Sequence, residues 1–158
     1  MLKIITYPNP ILRKKAEKIK DPLALDIQKL IPEMIKTMLI KDGVGLAAPQ
    51  IGKSIRLIVV RYKDNNLIII NPKIIKRSLL KDWDEEGCLS VPGVFGYVKR
   101  CKKITVKYLD ESGRERKLSA EGLLARIIQH EIDHLDGILF IDKAKNLKNI
   151  ILSNESNE

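Results

Sequence analysis

Residues 121–135 read EGLLARIIQHEIDHL. Leu123, Leu124, Ile127, Ile128 and Leu135 recur at helical spacing, which predicts a largely buried helix that Gly137 can stop. His130 and His134 stand four residues apart, so on a helix they are offset by about 40° and one turn and face a single point. That is the geometry of two cis ligands on a metal ion. Glu131, between them, can then reach water at an open coordination position. The apolar neighbours would bury and desolvate Glu131, raising its pKa toward general-base work. These are the chain's only two histidines, so imidazole chemistry happens here or nowhere. A structural helix with two unliganded buried imidazoles would need other partners for them.

The rest of the chain supplies a scaffold for that helix. Leu23, Ile27, Leu30, Met34 and Met38 predict a second helix over 23–39, with Asp21-Pro22 as N-cap and first-turn proline. Pro32 lies inside it, where a kink or break is expected. Residues 42–52, DGVGLAAPQIG, are too glycine-rich to predict regular structure. Residues 55–60 and 67–70 predict strands joined through Asp64-Asn65-Asn66, with Ile74 and Ile75 continuing the sheet. Residues 104–109 and 115–120 predict another pair, turned at 110–113. Asp82, Asp84, Glu85 and Glu86 around Trp83 read as a surface loop. Leu147, Ile150 and Ile151 form a short amphipathic segment. The expectation is one compact α+β domain over 1–158, with antiparallel or mixed sheets around the central HExxH helix. Residues 143–158 are then a C-terminal segment with a short helix and a frayed tail.

Composition narrows the function. A chain of 158 residues has room for one domain. Its 24 isoleucines argue against extended disorder. The net charge is +9, but 21 of the 29 basic residues are lysine, spread along the chain. Arginine is the side chain suited to bidentate base or phosphate recognition. Only 4% of residues are aromatic, which disfavours a single-strand stacking platform. A solvated lysine-rich surface is therefore expected, with no specific DNA site. Attraction to a polyanion such as the ribosome is compatible with the charge. Aliphatic runs stop at about four residues, far short of a membrane span. Two unevenly placed cysteines make the cytoplasm the expected compartment.

The HExxH pattern leaves a third ligand to be found. In the longer metzincin pattern Gly137 fits, but Phe140 occupies the third-ligand position and cannot bind metal. Few carboxylates remain downstream, so the third ligand is expected upstream. Cys88, in the stretch EGCLSVPG from Glu86, would complete a soft three-ligand site with one position open to water; it could equally be a small buried hydrophobe. Cys101 reads as the latter. Gln50, ending GVGLAAPQ, offers a neutral amide for a developing oxyanion, or a cap on a tight connection.

In chain order, GVGLAAPQ (43–50), EGCLS (86–90) and QHEIDHL (129–135) resemble the three motifs of the peptide deformylase family. The resemblance extends through the YPNP approach (7–10) and the intervening strands, covering about 1–142. It implies hydrolytic removal of the N-formyl group from the formylmethionine of newly synthesised polypeptides, with release of formate. It also implies Cys88, His130 and His134 as metal ligands, Glu131 as acid/base, and Gln50 with the Leu89 backbone N–H as oxyanion donors. The implied cofactor is one divalent ion, natively Fe(2+), with Ni(2+), Co(2+) or Zn(2+) as substitutes. The implied partners are N-formylmethionyl nascent peptides and, transiently, the ribosome, with no membrane. Gly45 would pair with an extended substrate, and Val44, Glu86, Leu123 and Ile127 would wall the methionine pocket. Arg126 interrupts the apolar run, so one pocket-side position is polar or turned outward; Glu86 and Arg100 can form an ion pair near Cys88. Two other readings are a small HExxH metallopeptidase, which Phe140 disfavours, and a structural metal domain binding RNA or ribosome. The latter would need a fourth protein ligand, for which Cys101 is the spare thiol.

Overall fold

β-Branched residues dominate 55–60 and 67–70, and the pleated, half-buried surface they suit is where they sit. A computed structural model describes residues 1–150. In chain order its strands are β1 (Gly45–Ala47), β2 (Leu57–Tyr62), β3 (Asn65–Arg77), β4 (Lys81–Cys88), β5 (Val91–Cys101), β6 (Lys103–Leu109), β7 (Glu115–Glu121) and β8 (Lys145–Asn149). The helices are α1 (Leu25–Ile40) and α2 (Gly122–Leu135), with short 3-10 turns at Pro10–Arg13, Ala48–Ile51 and Phe140–Asp142. One sheet has the order β1-β2-β3-β6-β7 and the other β4-β5-β8, and every pairing between these strands is antiparallel. This is the expected α+β class.

Successive strand residues face opposite ways. Leu57 and Val59 therefore join α1, packing with Ile27, Ile31, Met34 and Met38. Ile58 and Val60 face α2, packing with Ile128, Ile132 and Leu135. Each such side chain contributes about 1.5–3 kcal/mol when fully buried. The sheet thus fixes α2 by its apolar stripe, leaving the histidine side for the smaller sheet. There Leu12, Val91, Val98, Leu139 and Phe140 form a third cluster.

Several local expectations are corrected. The 42–52 stretch is not irregular: it contains β1 and the Ala48–Ile51 turn, because β1 finds hydrogen-bonding partners along β2. Asp21 does not cap α1, whose N-cap is Ala24; its carboxylate accepts the Leu23 N–H in the turn before the helix. Pro32 lies within α1, which runs through to Ile40. The β2–β3 turn is Lys63-Asp64, with Lys63 at φ +56°. The acidic run at 82–86 is strand, not loop: it is paired along β5, with Asp82 opposite Arg100 and Trp83 opposite Lys99. Opposite charges across strands stabilise such pairings. Within the C-terminal segment residues 145–149 are strand, docked on the free edge of β5. Ile151 and the tail beyond it lie outside the described residues.

Candidate metal centre and active site

α2 brings both imidazoles to the buried side of the molecule. His130 is 9% exposed and His134 1%. Opposite them, the β4–β5 hairpin places Cys88 at its turn, with Sγ 3.3 Å from His134 Nε2. One ligand atom from each of Cys88, His130 and His134 lies within 4.8 Å of the other two. Cys88 is thus the upstream residue placed where a third ligand could stand. Among the described residues no fourth donor joins this group. Cys101 is buried in the apolar cluster under α2, which removes the closed structural-site reading.

The surroundings orient each donor. His130 Nδ1 is 2.8 Å from Glu86 Oε1, which holds the proton on Nδ1 and leaves Nε2 as the nitrogen with a free lone pair. Glu86 is itself clamped by Arg100 (2.9 and 3.0 Å) and by Arg126 (2.7 Å). Burial opposes its ionisation, but hydrogen bonds to His130 and Arg100 prevail and hold it well below the usual carboxylate range. Burial also opposes protonation of both imidazoles, with opposite net outcomes. His134, beside the charges of His130 and Arg100, stays far below its ordinary value, in the neutral form that ligates. At His130 the hydrogen bonds with Cys88 and Glu86 outweigh burial and raise it. Among the described residues, two buried atoms here have no hydrogen-bond partner, Glu131 Oε2 and His134 Nδ1. Burial pushes the Glu131 carboxyl up to about 7.

Gln50 uses the two ends of its amide differently. Its Oε1 accepts the Ala47 N–H at 2.9 Å, closing the tight connection. Its Nε2 points to the centre, 3.1 Å from Ser90 Oγ and 3.5 Å from Cys88 Sγ. A recess of about 490 Å³ opens here, and its lining includes Val44, Gly45, Gln50, Glu86, Cys88, Leu89, Leu123, Ile127, His130 and Glu131. Every residue expected from the sequence thus borders this recess except His134, which sits behind it. Val44 and Leu123 form its exposed rim.

Sequence reasoning missed some partners. Ser90 receives the Gln50 amide, and Phe140 stacks on His130 with ring centroids 6.1 Å apart. Arg126 points inward, not outward, bonding Glu86, the Val98 carbonyl and Asp82. Asp133 holds the far side of Arg100 at 2.5 Å. Arg126 was marked by its polar intrusion into an apolar run, Ser90 by its place in EGCLS and Phe140 only as a non-ligand, while nothing marked Asp133.

A buried carboxylate beside a Cys/His/His cluster, on a helix between two antiparallel sheets, defines a small metallohydrolase. The chain belongs to the polypeptide deformylase family, whose model matches residues 1–150. Members of that family are hydrolases that remove the N-formyl group from newly synthesised polypeptides. The peptide deformylase of Dictyoglomus thermophilum is 52% identical over 136 residues, spanning 86% of this chain and 88% of that one. Among solved structures, a peptide deformylase from Synechococcus elongatus in complex with actinonin superposes with a TM-score of 0.88. It is 42% identical and covers 92% of this chain and 79% of its own. That from Thermotoga maritima gives 0.89 at 41% identity, covering 92% and 98% respectively.

Proposed function

We propose that Cys88, His130 and His134 hold one divalent ion, natively Fe(2+), and that Glu131 and Gln50 carry the proton and charge work of deformylation. The observation behind this is the convergence of three ligand atoms within 4.8 Å, beside a buried carboxylate oxygen that has no partner. Sulfur with two imidazoles is a soft-to-borderline donor set suited to Fe(2+), Zn(2+), Ni(2+) or Co(2+). When bound, such an ion supplies Lewis acidity and lowers the pKa of water toward about 7.

The chain's own groups do the rest. Glu131 accepts the proton of the attacking water and returns it to the leaving amine, so water and a formamide become formate and a free N-terminus. Its carboxyl, poised near neutrality, suits both transfers. Gln50 Nε2 and the Leu89 backbone N–H donate to the formyl oxygen as it gains charge. Gly45 lines the approach for an extended peptide, while Val44, Leu123 and Ile127 contact the methionine side chain. Glu86 also borders the recess but acts mainly by fixing His130. The substrates are N-formylmethionyl nascent chains in the cytoplasm, with transient contact at the ribosome. No helix among the described residues is long and apolar enough to cross a membrane.

The test is to purify the protein anaerobically with iron and measure free amine released from formyl-Met-Ala-Ser. Turnover is expected; metal bound without turnover would refute the assignment. Glu131→Gln should keep its metal and lose activity. A matching loss of metal would make Glu131 a ligand and the acid/base role wrong.

A further inference from the structure

The five-stranded sheet carries a second feature on the face turned away from α2. Ile104, Val106 and Tyr108 of β6 point inward to the α2 cluster, so Lys103, Thr105 and Lys107 point out. Lys73 of β3 is directly opposite Lys107, and Lys107 is directly opposite Lys117 of β7. Three lysines therefore stand side by side across three strands, with neighbouring strands about 4.8 Å apart. The next row is Lys76, Thr105 and Ser119. This row borders a recess of about 480 Å³ lined by Lys76, Arg77, Lys103, Thr105, Ser119 and Glu121, among others.

Like charges directly opposite one another destabilise a sheet, and an ion pair within the face relieves this only at Lys107, the centre of the row. Lysine that protects a sheet edge explains Lys117 on β7, but β3 and β6 are interior strands. Glu115 and Glu121 neutralise Lys107 and Lys103, at 3.1 and 3.3 Å. Among the described residues, Lys73, Lys76 and Lys117 make no ion pair. An external polyanion is the partner whose charge complements this face.

We propose that the outer face of β3, β6 and β7 binds the phosphate backbone of structured RNA. Lysine contacts phosphate as a point charge, without reading bases. No aromatic side chain faces out between the rows, so stacking on single strands is not offered. The hydroxyls of Thr105 and Ser119, 3.4 Å apart, suit phosphate or 2′-hydroxyl oxygens. α2 and the recess at Cys88 lie on the other side of this sheet, so bound RNA leaves the site open. The choice of RNA rests on the proposed action on nascent chains, but the binding measurement is independent of deformylation.

The test is fluorescence anisotropy of the metal-loaded full chain with a labelled RNA hairpin of about 20 base pairs, from about 50 to 200 mM salt. Lys73→Ala combined with Lys117→Ala should weaken binding about tenfold and reduce the log–log salt slope by about 2. Lys29→Ala with Lys36→Ala, an equal charge change on exposed positions of α1, should leave affinity within about twofold. Both variants should deformylate a formylated tripeptide as the parent does. Equal losses in the two variants, or no loss in the first, would overturn the proposal. So would the sheet lysines holding phosphatidylglycerol vesicles while no RNA is bound.

Discussion

Gly45 lacks a side chain where Glu131 needs the space: a Cβ there would lie 2.7 Å from Glu131 Oε1 and 3.0 Å from Ile127. Those neighbours are side chains that can shift, so Gly45→Ala is expected to fold but to displace the carboxylate. A displacement of about 1 Å can cost ~10²-fold in rate, so kcat should fall on that scale while the melting temperature changes little. Gln50→Glu separates the two roles of that residue. The carboxylate can still accept the Ala47 N–H, but of the two proposed donors only the Leu89 N–H then remains for the formyl oxygen. We expect kcat to drop ~10²–10³-fold, or about 3 kcal/mol of barrier, in the formyl-peptide assay. An unchanged kcat would remove Gln50 from the reaction. At this scale the sequence was informative about donor chemistry, since an amide after two glycines and two alanines is unusual. It was silent on Ser90, whose hydroxyl matters only because the hairpin brings it under Gln50.

The α2 helix ends where Gly137 takes φ +74°, and a Cβ there would sit 2.4 Å from the Arg13 carbonyl oxygen. Arg13 belongs to the N-terminal segment, so the helix stop also locks that segment down. Gly137→Ala should therefore cost more than the ~1 kcal/mol of an ordinary backbone penalty, read as a lower urea midpoint. Helix boundaries were legible because α2 carries a 3.6-residue apolar stripe through to a glycine. The strands at 81–88 and 145–149 were not, for a definite reason. Their residues are charged or exposed and lack an inward-facing alternation. They are strands because β5 offers both edges, pairing the acidic run on one side and residues 145–149 on the other. Lys145 also rests over the Trp83 ring at 4.9 Å, tying the two outer strands together.

Across the whole molecule, Glu86 is the point where β4, β5 and α2 meet. It binds Arg100 from β5 and Arg126 and His130 from α2, all through buried contacts. Removing one member leaves the others charged and buried, so Glu86→Gln should lose about 3–5 kcal/mol of unfolding free energy. The pH dependence follows from the same residue. Its folded-state pKa is depressed below the ordinary 4.5, so its stabilisation is complete above that value and drains away as pH falls below it. Urea titrations of chelated protein should show stability falling from about pH 4.5 downward. Glu86→Gln should flatten that acid limb, and an unchanged limb would place the loss on other carboxylates.

The sequence by itself determined the chemistry on offer: two imidazoles one turn apart, a carboxylate between them, one cysteine in a turn and one amide after a small-residue run. It also determined the α+β class and four of the eight strands, β2, β3, β6 and β7, because burial periodicity is a local property. Tertiary structure decided the rest. It chose Cys88 over Cys101 as the partner of the histidines, turned Arg126 inward onto Glu86, and made strands of two charged segments. Each of those outcomes depends on groups tens of residues apart meeting at hydrogen-bond distance, and on edges that exist only once a neighbouring strand is in place. The net charge of +9 gained meaning in the same way. Of its 21 lysines, spread along the sequence, Lys73, Lys107 and Lys117 are set side by side by the antiparallel register of three strands.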